Sequence, residues 1–185
     1  MELIDTHAHL EDLDRLDEVL ARAEEAGVVA IVTMGSDLKS NMWVLNEGIK
    51  HQRAGLKVYP AIGLHPWGLD TSKIEDNLRL IRENIDRAVA IGEIGLDYWY
   101  RVVRKDEEKK ALQRDLFRIL LDIAERHGKP VSIHSRGAWS DSVDITIQSG
   151  VKKAVFHWFT GSMDDLGRLL DRGYYISATP AAAYS

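Results

Sequence analysis

Two histidines separated by one residue, His7 and His9, are the first side chains along the chain that could do chemistry. They follow the apolar pair Leu3-Ile4, which predicts a strand. Because alternate residues of a strand point to the same face, both imidazoles can converge on one divalent cation. The pair by itself is equally typical of ordinary surface or core histidines, so its interpretation depends on whether other ligands lie nearby.

Three further candidate ligands also close apolar runs, namely Glu93, His134 and His157. Histidine together with carboxylate suits zinc, manganese or magnesium. A carboxylate can bridge two cations about 3.5–4 Å apart, a spacing that suits displacement at phosphorus. We expect Glu93 to be this bridge; the alternative is a buried carboxylate that pairs with a cationic side chain.

Three other residues could contact a substrate. His65 lies in Gly63-Leu64-His65-Pro66 and could be a ligand, a phosphate contact, a proton donor or an ordinary loop histidine. The guanidinium of Arg136 could hold a phosphate through two hydrogen bonds, or could form a solvent-facing salt bridge. Tyr98 begins an aromatic and basic loop, a mixture that suits stacking on unpaired bases, although such aromatic residues also pack loops.

Short apolar runs that alternate with longer amphipathic stretches must position these side chains. Near-continuous apolar runs are typical of parallel strands covered on both faces. Apolar residues at helical spacing predict a first helix over residues 10–23 and a long one over residues 106–127, and Ser72 and Ser162 are predicted helix caps. The predicted strands are residues 3–4, 28–34, 58–64, 89–94, 131–133, 154–156 and 174–176.

Repeated strand–helix units predict either an open doubly wound sheet or a closed eight-stranded barrel. A glycine-rich phosphate loop after the first strand would favour the open sheet, but His7-Ala8-His9 stands there. Polar residues at the ends of several strands favour the barrel, whose active site gathers at the carboxyl ends of its strands. We therefore predict one α/β domain over residues 1–185, a TIM-type barrel with about seven strands.

The composition limits the classes of protein that fit. The chain has no cysteine, which excludes disulfides and thiolate zinc sites and favours the cytoplasm. Its start is unlike a signal peptide, and no apolar run is long enough to span a bilayer, so no membrane partner is expected. The net charge of −5 argues against a protein that merely coats nucleic acid. It leaves open an enzyme that grips phosphate through bound cations.

With these motifs in order along the chain, the sequence resembles the TatD-like family of metal-dependent deoxyribonucleases. The resemblance covers essentially the whole chain and is specific for the family rather than for a substrate. The matching blocks are Asp5-Thr6-His7-Ala8-His9-Leu10, Gly63-Leu64-His65-Pro66, Gly92-Glu93-Ile94-Gly95-Leu96-Asp97-Tyr98, Pro130-Val131-Ser132-Ile133-His134-Ser135-Arg136 and Phe156-His157-Trp158-Phe159-Thr160-Gly161-Ser162.

The resemblance implies a (β/α)₈ barrel with two divalent metal ions (Mg, Mn or Zn) that cleaves phosphodiester bonds in DNA, often from the 3′ end of single-stranded or frayed DNA. It implies that His7 and His9 hold one ion and that His134 and His157 hold the other. Glu93 would bridge the two ions as the catalytic residue that positions the attacking hydroxide. His65, Arg136 and Tyr98 would contact the DNA.

The sequence departs from the family pattern in its length. Such barrels run to about 250 residues, and the last helix–strand unit, with the family's Glu-Thr-Asp block, has no counterpart before Ser185. We therefore expect a chain truncated at the C-terminus that lacks one aspartate ligand. The alternative function is another hydrolase on the same scaffold, such as an amidase, a deaminase, a lactonase or a D-aminoacyl-tRNA deacylase.

Overall fold

A computed structural model describes residues 1–183 and contains one seven-stranded parallel sheet. The strands follow one another in chain order, so each pairs with its neighbours in sequence. Such an order requires a crossover between every pair of strands. The strands are β1 (Leu3–Ala8), β2 (Val28–Met34), β3 (Lys57–Ile62), β4 (Ala90–Asp97), β5 (Val131–Arg136), β6 (Ala154–His157) and β7 (Tyr175–Ile176).

Helices supply the crossovers and cover the outside of the sheet. Short 3-10 turns lie at Leu10–Asp12, Gly48–His51, Ile85–Arg87 and Pro180–Ala183. The sheet and its helices form a curled, incomplete barrel, which confirms the predicted TIM-type α/β fold. The helices are α1 (Leu16–Glu25), α2 (Leu38–Asn46), α3 (Thr71–Asn84), α4 (Glu107–Arg126), α5 (Trp139–Ser149) and α6 (Met163–Asp171).

The centre of the sheet is its most buried part. Seven of the eight residues of β4 are buried, and α4 packs against it with Phe117 and Leu120 almost fully covered. The two outer strands are different: most of β1 is exposed, and Tyr175 of β7 is 71% exposed. Within residues 1–183, β1 and β7 are each paired on one side only, so the sheet is open between them.

Several predicted boundaries were wrong: β1, β3 and β5 also end at other residues than expected, and three further differences have a local reason. Glu93 does not close β4, because the buried Ile94 and Leu96 carry the strand on to Asp97. The first helix begins at Leu16 rather than at residue 10. Arg15 adopts a left-handed conformation (φ 52°), which separates the helix from the 3-10 turn before it.

The third difference concerns the start of α3. Asp70, not Ser72, caps this helix, because its carboxylate accepts a hydrogen bond from the backbone N–H of Ser72. Ser162 caps α6 as predicted, with its hydroxyl accepting from the N–H of Asp165. Among the described residues, no helix is long and apolar enough to cross a membrane.

Candidate metal centre

The carboxylate of Glu93 is the point at which four histidines meet. Its Oε2 lies 3.2 Å from Nε2 of His9, 3.4 Å from Nε2 of His7 and 3.8 Å from Nε2 of His65. Its Oε1 lies 3.1 Å from Nδ1 of His134. Side chains from β1, from the segments after β1 and β3, and from β5 thus surround one buried carboxylate of β4.

These contacts form two groups that share Glu93. His7, His9 and Glu93 make one group, and His65, Glu93 and His134 make the other; within each, the potential ligand atoms lie within 4.8 Å of one another. His157 belongs to neither group, but its ring stacks on His7 with centroids 3.7 Å apart and planes 6° apart. All these side chains line a cavity of about 640 Å³.

The second ring nitrogen of four histidines also faces an oxygen atom. This is the usual arrangement around metal-binding histidines, because the outer partner fixes the ring and its tautomer. The donor set and its outer contacts therefore fit divalent cations. The pairs are His7 Nδ1 with Ser132 Oγ (3.0 Å), His9 Nδ1 with Glu11 Oε1 (3.8 Å), His134 Nε2 with Asp97 Oδ2 (3.2 Å) and His157 Nδ1 with Ser177 Oγ (3.4 Å).

Asp97 is a buried carboxylate that sequence reasoning did not assign to the site. Besides His134, it accepts hydrogen bonds from Nε1 of Trp67 (2.7 Å) and from Nε of Arg136, whose Nη2 lies 2.9 Å from Oδ2. Burial opposes its charge, but bonds from His134, Arg136 and Trp67 outweigh burial and lower the pKa of Asp97 to about 2. The signal in the sequence was an acidic residue shortly after the predicted end of β4 at residue 94.

The carboxylates and histidines of the centre stabilise each other's charged forms. Burial opposes ionisation of Glu93, but hydrogen bonds from His134, His7 and His9 hold its pKa well below the usual value. Burial likewise opposes protonation of His134, yet Asp97 and Glu93 raise its pKa. The Glu11 and Glu93 carboxylates raise the pKa of His9 to about 10. Each of these shifts records how strongly the carboxylates attract positive charge.

His65 and His157 lie in surroundings that favour the neutral ring. Burial, only partly offset by Glu93, lowers the pKa of His65 to about 3. Burial and then the neighbouring His7 lower the pKa of His157 to about 4. Nδ1 of His65 accepts a hydrogen bond from the backbone N–H of Trp67 (3.3 Å), so the proton of the neutral ring belongs on Nε2.

Two glycines allow the strands to approach closely around Glu93. A Cβ at Gly63 would lie 2.6 Å from the carbonyl carbon of Gly92 and 2.8 Å from the backbone nitrogen of Glu93. Gly95 has a φ of 141°, and a Cβ there would overlap the carbonyl oxygen of His134. Only glycine fits where β4 passes this close to its neighbours.

Buried amides fix the segments that follow the strands. Asn41 accepts from the N–H of Gly63 (2.9 Å) and donates to its carbonyl (2.6 Å). Gln113 of α4 accepts from the N–H of Asp97 (3.0 Å) and donates to the carbonyl of Pro66 (2.7 Å). Sequence reasoning missed Gln113 because this residue lies on the buried face of α4, where the pattern predicts apolar packing.

The other two predicted substrate contacts are held by protein groups. Arg136 is paired with Asp97, while its side chain remains 44% exposed. The hydroxyl of Tyr98 donates to Asp141 Oδ2 (2.6 Å) and accepts from Nη1 of Arg114 (3.0 Å). Tyr98 is not among the residues that line the cavity. Contacts of Arg136 and Tyr98 with a substrate therefore remain predictions.

Comparison with known proteins identifies relatives along the whole chain. The family model described as TatD related DNase matches residues 4–185. An uncharacterized metal-dependent hydrolase TatD of Mycobacterium tuberculosis is 31% identical over 98% of this chain and 70% of its own length. The human protein named deoxyribonuclease TATDN3 is 31% identical over 97% of this chain and 68% of its own length.

A solved structure agrees in fold. The crystal structure of YJJV, a TATD homolog from Escherichia coli, superposes with a TM-score of 0.79 at 28% identity, over 94% of this chain and 66% of that one. The chain thus spans about two thirds of the length of the relatives it matches. The match of the family model and these relatives together show that the chain belongs to the TatD family of metal-dependent hydrolases.

Proposed function

We propose that this centre hydrolyses phosphodiester bonds in DNA and removes nucleotides from the 3′ end of single-stranded or frayed DNA. The observation that carries the proposal is the sharing of one buried carboxylate, Glu93, between two groups of histidine ligands. A shared carboxylate is what a pair of cations needs in order to flank one phosphate. The human relative's name, deoxyribonuclease, points to the same substrate.

The cofactors in this proposal are two divalent ions (Mg, Mn or Zn). His7 and His9 with Glu93 would hold one, and His134 and His157 with Glu93 would hold the other. When bound, such ions supply electrophilic stabilisation of the charge that develops on a phosphate. The low pKa of Glu93 keeps its carboxylate ionised for this role across the neutral range.

The chain's own groups would bind and orient the DNA. The protonated Nε2 of neutral His65 can donate a hydrogen bond to a phosphate oxygen without carrying charge of its own. The exposed part of the Arg136 guanidinium adds positive charge beside the same cavity, while its ion pair with Asp97 fixes its orientation. This assignment places His157 beside His134 as a ligand, although His65 is the histidine that lies with Glu93 and His134 in the structure, and it makes His65 a donor to the substrate.

Digestion of end-labelled DNA tests the proposal. With Mn²⁺ or Mg²⁺ we expect successive loss of nucleotides from the 3′ end of a single strand, slower digestion of a blunt duplex, and loss of both activities in Glu93→Gln. An exposed carboxylate outside the centre, changed in Asp115→Asn, provides the matched control. A panel of ester and amide substrates tests the alternative hydrolase activities: turnover of these, with DNA left intact, would contradict the proposal.

A further inference from the structure

Two exposed tryptophans border the cavity, and each contacts one of the histidines that line it. Trp67 is 48% exposed and meets the ring of His65 edge-on, with centroids 4.6 Å apart. Trp158 is 52% exposed and stacks on His157, with centroids 4.8 Å apart and planes 24° apart. Large exposed aromatic rings beside a polar cavity are candidates for contact with a ligand.

Trp67 is already engaged by the protein. Its Nε1 donates to Asp97, its ring stacks with Tyr100 (centroids 5.3 Å apart), and the guanidinium of Arg136 lies 5.6 Å from its centroid. These contacts hold the indole to protein groups through both its nitrogen and its ring. Trp67 therefore has a sufficient structural role in holding the Asp97 cluster together.

Trp158 has fewer contacts of this kind. Its one ring–ring contact among the described residues is with His157, and its indole N–H has no hydrogen-bond partner among them. Its backbone has a φ of 50°, a conformation that bulky residues rarely adopt. The backbone N–H donates to Oγ of Ser177 (2.9 Å), which helps to hold that conformation. Strain of this kind tends to be retained where it serves binding or catalysis.

The stack formed by Trp158, His157 and His7 relates the indole to the metal centre. The ring centroid of His157 lies 3.7 Å from that of His7 and 4.8 Å from that of Trp158. The His157 ring therefore connects the indole to His7, which contacts Glu93. The cavity of about 640 Å³ is bordered by both Trp158 and Glu93. A planar group on the indole would therefore lie beside a phosphate at the centre.

We propose that Trp158 is a stacking platform for an unpaired nucleobase of the nucleotide whose phosphate lies at the Glu93 centre. The inference rests on the proposed DNA hydrolysis and adds the reason why an unpaired end is chosen. Stacking needs an uncovered face of the base. A base inside a duplex has both faces covered, and the last base of a blunt end is held by its pairing partner, whereas an unpaired base is free to move onto the indole. Every base has such a face, so the contact tolerates any sequence.

Binding measurements separate stacking from a structural role of the residue. The binding probes are a short single-stranded thymidine oligonucleotide and the same oligonucleotide with an abasic 3′ residue, both with hydrolysis-resistant phosphorothioate linkages and titrated in the presence of Mn²⁺ by fluorescence anisotropy. Digestion is measured on the same two oligonucleotides with ordinary phosphodiester linkages. The ring is removed by Trp158→Gly, because glycine accepts the positive φ without strain. Trp158→Phe keeps a smaller ring, and Tyr59→Ala removes an aromatic ring that is 42% exposed and outside the cavity.

We expect Trp158→Gly to weaken binding of the intact oligonucleotide by about 5- to 150-fold, the range for one base stacked on an aromatic ring. Trp158→Phe should lose less, and Tyr59→Ala should behave as wild type. Binding of the abasic oligonucleotide should be equal in all four proteins. The KM for digestion with Mn²⁺ should follow the same pattern.

Two results would overturn the inference while leaving DNA hydrolysis intact. Wild-type digestion of the oligonucleotide with no loss of affinity in Trp158→Gly would show that the indole does not contact the base. An equal loss for the intact and abasic probes would show that the residue acts through the backbone. If wild type neither binds nor digests either probe, the proposed function itself fails, and the inference with it.

Discussion

Oδ2 of Asp97 lies 3.2 Å from Nε2 of His134, and the opposite nitrogen of the same ring lies 3.1 Å from Glu93. One imidazole thus joins two buried carboxylates of the same strand, β4. Glu93 faces the other histidines, whereas Asp97 binds Arg136 and Trp67. Asp97 is therefore a positioning residue, because it fixes the ring that Glu93 meets.

Asp97→Asn tests this relationship. The amide keeps an oxygen for the backbone N–H groups of Trp99 and Tyr100 but loses the negative charge that holds His134 and Arg136. We expect affinity for Mn²⁺ to fall about 10- to 100-fold, the usual effect of removing a residue that hydrogen-bonds a metal ligand and fixes its orientation. Titration followed by electron paramagnetic resonance measures it.

The control for this change is Asp141→Asn, which removes a carboxylate bound to Tyr98 outside the cavity and should leave Mn²⁺ affinity as it is. Melting temperatures of both variants show whether the fold has been kept. Unchanged Mn²⁺ affinity in Asp97→Asn would contradict a positioning role.

Gly95→Ala should disrupt the centre from the backbone. A methyl group at a φ of 141° would overlap the carbonyl of His134 and force β4 and β5 apart. Backbone strain and overpacking together predict a loss of about 2–6 kcal/mol in the free energy of unfolding. Urea denaturation measures it. Gly128→Ala is the matched control, since it also has a positive φ (61°) but nothing within 4 Å of the added Cβ; a comparable loss there would assign the effect to φ alone.

Tyr98→Phe separates a structural role from the predicted contact with DNA. The change removes the hydroxyl that bonds Asp141 and Arg114, so we expect about 1 kcal/mol less stability in urea. If the hydroxyl serves only to join α4 and α5 to the end of β4, the KM for single-stranded DNA will not change. A higher KM in a variant that stays folded under the assay conditions would instead place Tyr98 against the substrate.

Divalent metal should stabilise the folded protein by binding at the Glu93 centre. At a free Mn²⁺ concentration one hundred times the Kd, the expected gain is about 2.7 kcal/mol for each ion bound, and EDTA should reverse it. Differential scanning calorimetry measures the accompanying rise in Tm. Glu93→Gln should show no such rise; an equal rise in that variant would mean that the cation binds elsewhere.

The strands and the long helix could be predicted from the sequence because their apolar patterns are strong. β2 was predicted with its observed bounds, and the long helix to within one residue at each end. The end of β4 could not be predicted, because its glycine and acidic residues interrupt the apolar run. That interruption concealed Asp97, whose partners come from three other parts of the chain.

The convergence of His7, His9 and His134 on Glu93 was foreseen, because strand ends meet at one rim of a barrel. The stacking of His157 on His7, and the place of His65 beside Glu93, depend on ring orientations that spacing does not encode. The positive φ of Trp158 is likewise a property of the packed turn after β6. No residue type in the sequence predicts it.

The contacts of β1 also have a consequence for the order of folding. His9 meets Glu93 across 84 positions of sequence, and His7 meets Ser132 across 125, although within residues 1–183 the backbone of β1 pairs with β2 alone. Such long loops must close before these contacts can form, and closing them costs entropy at an early stage. The centre can therefore be complete only after β1 to β6 have assembled, so the appearance of metal affinity during refolding would be a kinetic marker of a late stage of assembly.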